Sequence, residues 1–249
     1  MGAGARGRMG TLMAMPAPAT PPDAPLTVAV LPVKRFSRAK QRLGASVGDE
    51  LRAALAHAMA CDVLAALGET GAIDRIVVVT GEHAIARAAR GQGATVLADD
   101  NETSQSAAAT IGIREALVLG AARVLCVPGD CPALDPSELE RLLATQPERE
   151  VVIVPDRHGT GTNGLLLCPP DVIDPAFGPG SCERHRGLAA RAGVNARIER
   201  LPSLLLDVDT GADLAALRAK LGEHAGRAAR TRAVLAAHRT GGASVAALA

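Results

Sequence analysis

The chain has almost no aromatic residues: it contains no Trp, no Tyr and only two Phe among 249 residues. This scarcity argues against base stacking on aromatic side chains as a way of binding nucleic acid. Lys and Arg number 27 against 26 Asp and Glu, so no excess of positive charge points to a nucleic-acid partner either. The hydrophobic core has to be built from Ala, Val and Leu.

Cysteine pairs and long apolar runs are also missing. None of the five cysteines lies in a CxxC pair, which argues against structural zinc and favours reduced thiols in a cytoplasmic protein. The longest apolar runs are far shorter than the roughly 20 residues that a membrane span requires. Length and balanced charge are typical of a soluble globular protein that binds neither nucleic acid nor membrane.

The two ends of the chain differ from its middle in composition. Residues 1–25 are rich in Gly, Ala and Pro and are predicted to form a disordered leader. No clear apolar core and cleavage site mark a secretory signal, whereas an Arg-bearing, acid-poor leader leaves a transit peptide as an alternative. Residues 26–240 show no repeat or linker and are predicted to form one domain, followed by a frayed tail over 241–249.

Short apolar runs alternate with helical patterns along the chain. The predicted strands are 28–33, 76–80, 94–98, 124–127, 151–154, 165–168 and 204–208. The predicted helices are 51–67, which is amphipathic, and 82–90, 104–119, 136–143, 183–192 and 212–221. This alternation predicts an α/β fold, with a mainly parallel sheet covered by helices on both faces. In such sheets, ligands bind beyond the carboxyl ends of the strands.

The segment after the first predicted strand is strongly basic. It contains Lys34, Arg35, Arg38, Lys40 and Arg42. Such a loop suits a polyphosphate, whose oxygens Lys and Arg neutralise. A solvated charged loop explains the same pattern equally well. The segment has neither the GK[ST] signature of a phosphate-binding loop nor the GxGxxG signature of a dinucleotide site.

Three aspartates follow two of the predicted strands. Asp130 comes just after the fourth strand, and Asp207 and Asp209 end the last one. Alternate residues of a strand share a face, so the paired carboxylates repel each other unless a cation lies between them. Mg²⁺ prefers hard oxygen ligands, usually carboxylates together with phosphate oxygens. The aspartates therefore predict a magnesium site, with a capping role for Asp209 and a surface position for Asp207 as the alternative.

Two glycine-rich loops complete the candidate site. In "GTGTN", residues 159–163, the glycines let the backbone approach a ligand, and Thr162 and Asn163 offer neutral donors that suit a carboxylate. In "FGPGS", residues 177–181, Ser181 is the predicted N-cap of a helix whose free N–H groups could bind an anion. Ordinary turn chemistry accounts for either loop taken alone.

Five of these motifs together resemble a known family. They are "LPVKRFSRAKQRL", "VPGDCPAL", "PDRHGTGTNGLLL", "FGPGSCERHR" and "LDVDT", in that order. They are similar to the guanylyltransferases of coenzyme F420 biosynthesis, and the resemblance spans residues 27–221. It implies a single Rossmann-like nucleotidyltransferase domain that uses Mg²⁺. It also implies transfer of GMP from GTP to the phosphate of a three-carbon phospho-acid, with release of pyrophosphate.

The resemblance further implies roles for individual residues. The metal would be held by Asp130, Asp207 and Asp209. The acid's carboxylate would be met by Thr162, Gly178 and Ser181, with Asn163 beside them. The triphosphate would face Lys34, Lys40 and Arg42, and Lys34 would also serve catalysis by neutralising charge. Ser106, in "SQSAAA", stands where the family often has an asparagine, so it is the candidate guanine contact.

Other functions remain open at the level of sequence. A related nucleotidyltransferase could act on another small phosphate or on a molybdenum cofactor, with CTP as a further candidate donor. A nucleotide-binding module without catalysis would bind GTP but release no pyrophosphate. No residue ranks phosphoenolpyruvate, 2-phospho-L-lactate and 3-phospho-D-glycerate as acceptors. Ala-rich helix faces allow a homodimer without indicating one, and the resemblance implies that the product passes to a downstream transferase.

Overall fold

The computed structural model describes residues 25–36, 43, 47–145, 147, 149–223 and 226–239. The predicted leader apart from residue 25, the predicted tail, and Lys40 and Arg42 lie outside these ranges. The strands are β1 (Thr27–Val33), β2 (Arg75–Thr80), β3 (Thr95–Ala98), β4 (Arg123–Cys126), β5 (Glu150–Pro155), β6 (Thr162–Cys168) and β7 (Ala196–Ile198). The helices are α1 (Asp49–Glu69), α2 (His83–Gly91), α3 (Gln105–Val118), α4 (Pro136–Leu143), α5 (Ser181–Arg191), α6 (Gly211–Glu223) and α7 (Ala229–Arg239).

The seven strands form one sheet in the order β3-β2-β1-β4-β6-β5-β7. All pairs are parallel except those of β6, which runs antiparallel to both β4 and β5. The mainly parallel sheet is therefore confirmed. The reversal of β6 matters for the site, because Cys126 at the end of β4 lies opposite Leu165. The start of β6, at Thr162, consequently lies at the edge of the sheet where β1 and β4 end.

Helices cover both faces of the sheet, as predicted. Successive residues of β1 point to opposite faces, so Leu31 joins a core under α1, α2 and α4, whereas Val30 joins a core under α3 and α5. Both side chains are fully buried. The two cores are built from aliphatic residues, which agrees with the scarcity of aromatics.

The predicted amphipathic character of α1 is wrong, because this helix is buried on two sides. One side packs on the sheet through residues such as Leu64, while Leu55 and Met59 pack under α6 and α7. The helix is long and apolar enough to span a membrane by length and composition alone, but 78% of its apolar window is buried inside the fold. A core helix in a layered protein meets the same criterion, and α1 has that position here.

The contact between α1 and α7 is made through a buried acid. Asp62 is 6% exposed, and its carboxylate accepts hydrogen bonds from the Arg230 N–H at 3.1 Å and the Thr231 N–H at 2.8 Å. The Thr231 hydroxyl donates to the same carboxylate at 2.7 Å. These N–H groups belong to the first turn of α7, where no helical partner exists, so Asp62 satisfies the start of that helix.

One predicted strand is wrong, and one strand of the sheet was not predicted. Residues 204–208 form no strand: they follow a turn in which the Leu204 N–H donates to the Leu201 carbonyl, and they continue as an irregular segment. Leu204, Leu206 and Val208 are buried, which explains the apolar run without a sheet position. The last strand of the sheet is β7, which the sequence analysis did not predict.

Side-chain hydrogen bonds cap the start of two helices. The Asp135 carboxylate accepts from the Ser137 N–H at 2.8 Å, with Pro136 in the first helical position of α4. At the start of α6, Thr210 and Asp213 bond reciprocally: the Thr210 N–H donates to the Asp213 carboxylate, and the Asp213 N–H donates to the Thr210 hydroxyl. This exchange satisfies two groups that the helix leaves without partners.

Gly112 marks the closest approach of α3 to the sheet. A Cβ at this position would lie 2.4 Å from Cγ1 of Val30 and 3.2 Å from Cγ2 of Val79. We therefore expect Gly112→Ala to lower the free energy of unfolding by about 1–3 kcal/mol, the usual cost of overpacking a core. Urea denaturation followed by circular dichroism measures the change.

A double-mutant cycle tests the cause of that loss. In a Val30→Ala background the two closest methyls are gone and only the Val79 contact at 3.2 Å remains, so the added penalty of Gly112→Ala should shrink markedly. Gly91→Ala is the matched control, since a Cβ there meets nothing within 4 Å. An equal penalty in both backgrounds would contradict the packing explanation.

Candidate active site

A cleft of about 280 Å³ opens at the carboxyl ends of β1 and β4. Its polar lining comprises Lys34, Asp99, Gln105, Asp130 and Asp209. Three of the predicted site residues, Lys34, Asp130 and Asp209, therefore face the same space. The cleft lies where the topology of a parallel sheet places ligands, beyond the strand ends.

The two aspartate-bearing segments are joined directly, although residues 207–209 do not lie in a strand. The Val208 N–H donates to the Asp130 carbonyl at 3.2 Å. The Asn163 side-chain amide donates to Asp207 Oδ1 at 3.2 Å and to the Leu204 carbonyl at 2.8 Å. The predicted convergence of the aspartates thus arises from loop contacts rather than from strand alternation.

The ionised form of Asp207 is disfavoured in the protein without a bound cation. Burial raises the pKa of the Asp207 carboxyl, the neighbouring Asp130 raises it further, and Asp209 adds a smaller effect of the same sign. The hydrogen bond from Asn163 acts in the opposite direction. The ionised form of Asp207 is therefore disfavoured by its surroundings, and a nearby cation would stabilise it.

The donor set suits a hard cation, but it is not a closed cage. In the part of the chain that the structure describes, no group of three or more His, Cys, Asp and Glu residues is arranged to hold a metal ion. Mg²⁺ is commonly held by one or two carboxylates, with substrate phosphates and waters completing its octahedron. Carboxylates at the mouth of a cleft that also carries Lys34 fit that pattern of shared ligation.

The two basic residues described after β1, Lys34 and Arg35, have different surroundings. Lys34 is exposed and lines the cleft. Arg35 is held away from it, since Arg35 Nε lies 3.2 Å from the Gly81 carbonyl and 3.3 Å from Glu102 Oε1. The Phe36 N–H donates to Glu82 Oε2 at 3.2 Å. These bonds fix the start of the loop against the ends of β2 and β3.

A second polar cluster lies at the start of β6. The Thr162 hydroxyl lies 3.1 Å from the Ser181 hydroxyl and 3.1 Å from His185 Nδ1. All three residues are buried, and His185 is fully inaccessible. Ser181 and His185 are four residues apart on α5, so they present side chains to the same side of the helix. Asn163, which contacts Asp207, follows Thr162 in β6, so the backbone of this strand connects the cluster to the segment that carries Asp207.

His185 is kept neutral by its surroundings. Burial lowers the pKa of His185 from 6.5 to about 4, with a further contribution from the positive charge of Arg184. The Ala176 N–H donates to His185 Nε2 at 2.8 Å. The Phe177 ring meets the imidazole edge to face, with ring centroids 5.3 Å apart. The histidine therefore ties the loop before α5 to β6.

The loop from Ala176 to Gly180 is held from several sides. The guanidinium of Arg184 donates to the carbonyls of Ala176, Phe177 and Pro179. The Phe177 N–H donates to the hydroxyl of Ser106 at 2.8 Å. Ser106 thus connects α3 to this loop, and it is not among the residues that line the cleft.

The N-cap predicted for α5 is displaced by one residue. Gly180, not Ser181, is the N-cap, with a φ of 71° in the left-handed region where glycine is favoured. Gly178 has a φ of 108°, which also requires glycine. Ser181 is consequently the first helical residue, and its hydroxyl is directed to Thr162 instead of capping the helix.

Some residues at the site were not singled out by sequence reasoning. Asp99 and Gln105 line the cleft from the end of β3 and the start of α3. The position of Asp99 just after a strand is the only signal that could have indicated it. A larger cavity of about 690 Å³, lined by Arg141 and Arg197, lies at the opposite edge of the sheet, near the start of β5. It contains none of the predicted site residues.

Solved structures share this fold. A nucleotidyl transferase from Methanothermobacter superposes with a TM-score of 0.57 and 21% identity, covering 80% of this chain and 98% of the other. A CMP:2-keto-3-deoxy-manno-octonic acid synthetase complexed with CTP superposes with a TM-score of 0.51 and 16% identity, covering 80% and 99%. The fold is that of the nucleotidyltransferases.

The family is defined by sequence. Residues 27–230 match the family described as Guanylyl transferase CofC like, and the chain belongs to it. A relative from Conexibacter woesei named phosphoenolpyruvate guanylyltransferase is 50% identical over 211 residues, 84% of this chain and 95% of that protein. One of the same name from Sphaerobacter thermophilus is 38% identical over 188 residues, 76% and 90% of the two chains.

Proposed function

We propose that the protein transfers GMP from GTP to the phosphate of phosphoenolpyruvate and releases pyrophosphate. The names of its relatives support this reaction. The observation that carries the proposal is the bridge made by Asn163. Its amide bonds to Asp207 while the adjacent Thr162 bonds to Ser181. From these contacts we infer that the acid's carboxylate binds at Thr162 and Ser181 and that the phosphates bind on the side of Asp207.

The proposed nucleotide site is the cleft at the ends of β1 and β4. Lys34 faces the triphosphate, together with Lys40 and Arg42 of the same segment. Asp130 and Asp209, which line the cleft, would hold Mg²⁺, with Asp207 as the predicted third ligand; the cation would supply neutralisation of charge on the phosphates. The guanine contact predicted for Ser106 stays a prediction, since Ser106 accepts a hydrogen bond from the Phe177 N–H and does not line the cleft.

The proposed acceptor site lies between β6 and α5. The hydrogen-bonded pair of Thr162 and Ser181 donates one hydrogen bond to the carboxylate, and the backbone at Gly178 approaches it closely because no side chain stands there. Asn163, which donates to Asp207, fixes the position of this subsite relative to the aspartates. An acceptor bound in this way presents its phosphate toward the α-phosphorus of GTP.

The proposed reaction requires the protein to position the two reactants and to compensate the charge of their phosphates. An oxygen of the acceptor phosphate attacks the α-phosphorus of GTP, a new P–O bond forms, and the bond to the β-phosphate breaks with pyrophosphate leaving. The attacking phosphate is already ionised near neutral pH, so no general base is needed. Positioning of the two reactants and compensation of phosphate charge supply the acceleration.

The test is pyrophosphate release from GTP and Mg²⁺ with each of the three acids supplied separately. We expect release with phosphoenolpyruvate, and a product whose mass equals the acid plus GMP. Release only with CTP would favour the related nucleotidyltransferases. Binding of GTP without release with any acid would identify a nucleotide-binding module and overturn the proposal.

We further propose that the product enters coenzyme F420 biosynthesis. The product contains a phosphoanhydride, and a downstream transferase can use it by displacing GMP. Cytoplasmic location and a homodimer remain predictions. Sedimentation of the purified protein at several concentrations tests the homodimer.

A further inference from the structure

The imidazole of His185 is held in one tautomer by its contacts. The Ala176 N–H donates to Nε2 at 2.8 Å, so Nε2 acts as an acceptor and carries no proton. The ring is neutral near pH 7, because burial and Arg184 lower the pKa of His185 to about 4. A neutral imidazole has one ring proton, and that proton is therefore on Nδ1.

This tautomer decides how the neighbouring hydroxyls can be used. Nδ1 lies 3.1 Å from Thr162 Oγ1 and must donate to it. Thr162 and Ser181, whose oxygens are 3.1 Å apart, have two hydroxyl protons between them. One proton is consumed by the bond between the two hydroxyls, in whichever direction it runs. The other proton is left over and can be donated outside the cluster.

The opposite tautomer would remove that donor. If Nδ1 were an acceptor, the Thr162 proton would be taken by the imidazole and the Ser181 proton by Thr162. The pair would then have only lone pairs to offer, and lone pairs repel a carboxylate. A buried cluster with no donor left over could not bind an anion through these two side chains.

We propose that His185 is a positioning residue that makes the Thr162–Ser181 pair a hydrogen-bond donor toward the carboxylate of the acceptor. The imidazole itself neither contacts the substrate nor transfers a proton to it. Its second contact, with the Ala176 N–H, holds the loop that leads to Gly178 and Gly180. This inference rests on the proposed acceptor site of the previous section.

The kinetic test compares substitutions that keep different halves of the imidazole. His185→Asn offers an amide N–H near the position of Nδ1, whereas His185→Gln reaches the position of Nε2 and loses the donor to Thr162. We expect His185→Gln to raise the KM for phosphoenolpyruvate roughly 10- to 100-fold, the effect of losing one hydrogen bond to a charged group. The KM for GTP should stay within about 2-fold, and His185→Asn should recover part of the loss.

A double-mutant cycle separates this role from a merely structural one. Thr162→Val removes the hydroxyl through which His185 is proposed to act. If the proposal holds, adding His185→Gln to Thr162→Val raises the KM for the acid little further, because the two changes remove the same interaction. Additive effects, or equal increases in the KM for GTP and for the acid, would overturn it.

A spectroscopic test reads the tautomer in the unaltered protein and uses a variant only to assign the resonance. The six histidines can be labelled with ¹⁵N, and long-range ¹H–¹⁵N spectra distinguish a proton on Nδ1 from one on Nε2. His185→Gln identifies the resonance by its loss. The Nδ1–H form is expected, and the Nε2–H form would overturn the inference. Absence of turnover with every acid in the unaltered protein would instead overturn the proposed function, leaving the tautomer result unaffected.

Discussion

Replacing Asp130 or Asp209 by Asn is expected to slow pyrophosphate release roughly 100-fold or more while leaving the fold intact. Both side chains line the cleft with Lys34, where the phosphates of GTP are proposed to bind. The amide keeps the size of the carboxylate but removes the charge that a divalent cation requires. Steady-state assays at saturating GTP and acid measure the loss, and a Mg²⁺ titration shows whether a higher concentration restores part of the rate.

The matched control is Asp171→Asn, an exposed acid outside the site. It makes the same chemical change and should retain full activity. Normal turnover by both Asp130→Asn and Asp209→Asn would contradict the metal assignment. A loss of activity accompanied by a large fall in melting temperature would mean that these side chains support the fold instead.

At Asp207 we expect the removal of charge to preserve or increase stability, although the same change at Asp130 or Asp209 lowers activity. Burial and Asp130 raise the pKa of Asp207 in the folded state, so ionising it costs more there than in the unfolded chain. This group's contribution to stability is full below the ordinary carboxyl pKa and is lost as the pH rises through the raised folded value. Asp207→Asn removes the penalty, so its metal-free melting temperature at pH 7 should equal or exceed that of the unaltered protein. The difference should vanish in acid.

The inner strands of the sheet could be predicted from the sequence because they are buried between the helices on its two faces. Parallel strands covered on both faces consist of continuous apolar residues, as in "VVIV" of β5 and "IVVV" of β2. The edge strand β7 could not be recognised in this way, because it has three residues and the middle one is Arg197. That arginine pairs with Glu150 and Glu199, which no apolar pattern indicates.

The candidate site was only partly predictable for a similar reason. Asp130 follows a buried strand, and the rule that ligands bind at strand ends is enough to indicate it. The contact between Thr162 and His185 spans 23 residues and depends on β6 running antiparallel, which local patterns do not reveal. Residues 204–208 show the converse, since an apolar run alone did not distinguish a strand from a buried irregular segment.

Arg123→Met is expected to lower the free energy of unfolding by roughly 2–5 kcal/mol, the range for breaking a buried charged network. Arg123 begins β4, at the sheet edge opposite the site, and is 4% exposed. Its Nε donates to the Thr27 hydroxyl at 2.7 Å, and its Nη1 donates to the carbonyls of Leu143 and Thr145 at 2.9 Å. A thioether satisfies none of these acceptors. Burial lowers the pKa of Arg123, while Asp74 is among the groups that raise it.

Denaturation in urea, read by circular dichroism, measures the loss, with Arg75→Met as the control. Arg75 begins the nearby strand β2 at the same edge but is exposed, so its replacement should change stability by less than about 0.5 kcal/mol.

The kinetic constants of folded Arg123→Met should stay close to those of the unaltered protein, because its contacts lie away from the cleft. A variant that kept its stability would contradict the role given to this network. A variant that lost affinity for GTP or the acid while folded would show that the two edges of the sheet are coupled. We expect stability to be lost at one edge of the sheet and turnover at the other, because Arg123 begins β4 whereas Asp130 follows the end of that strand.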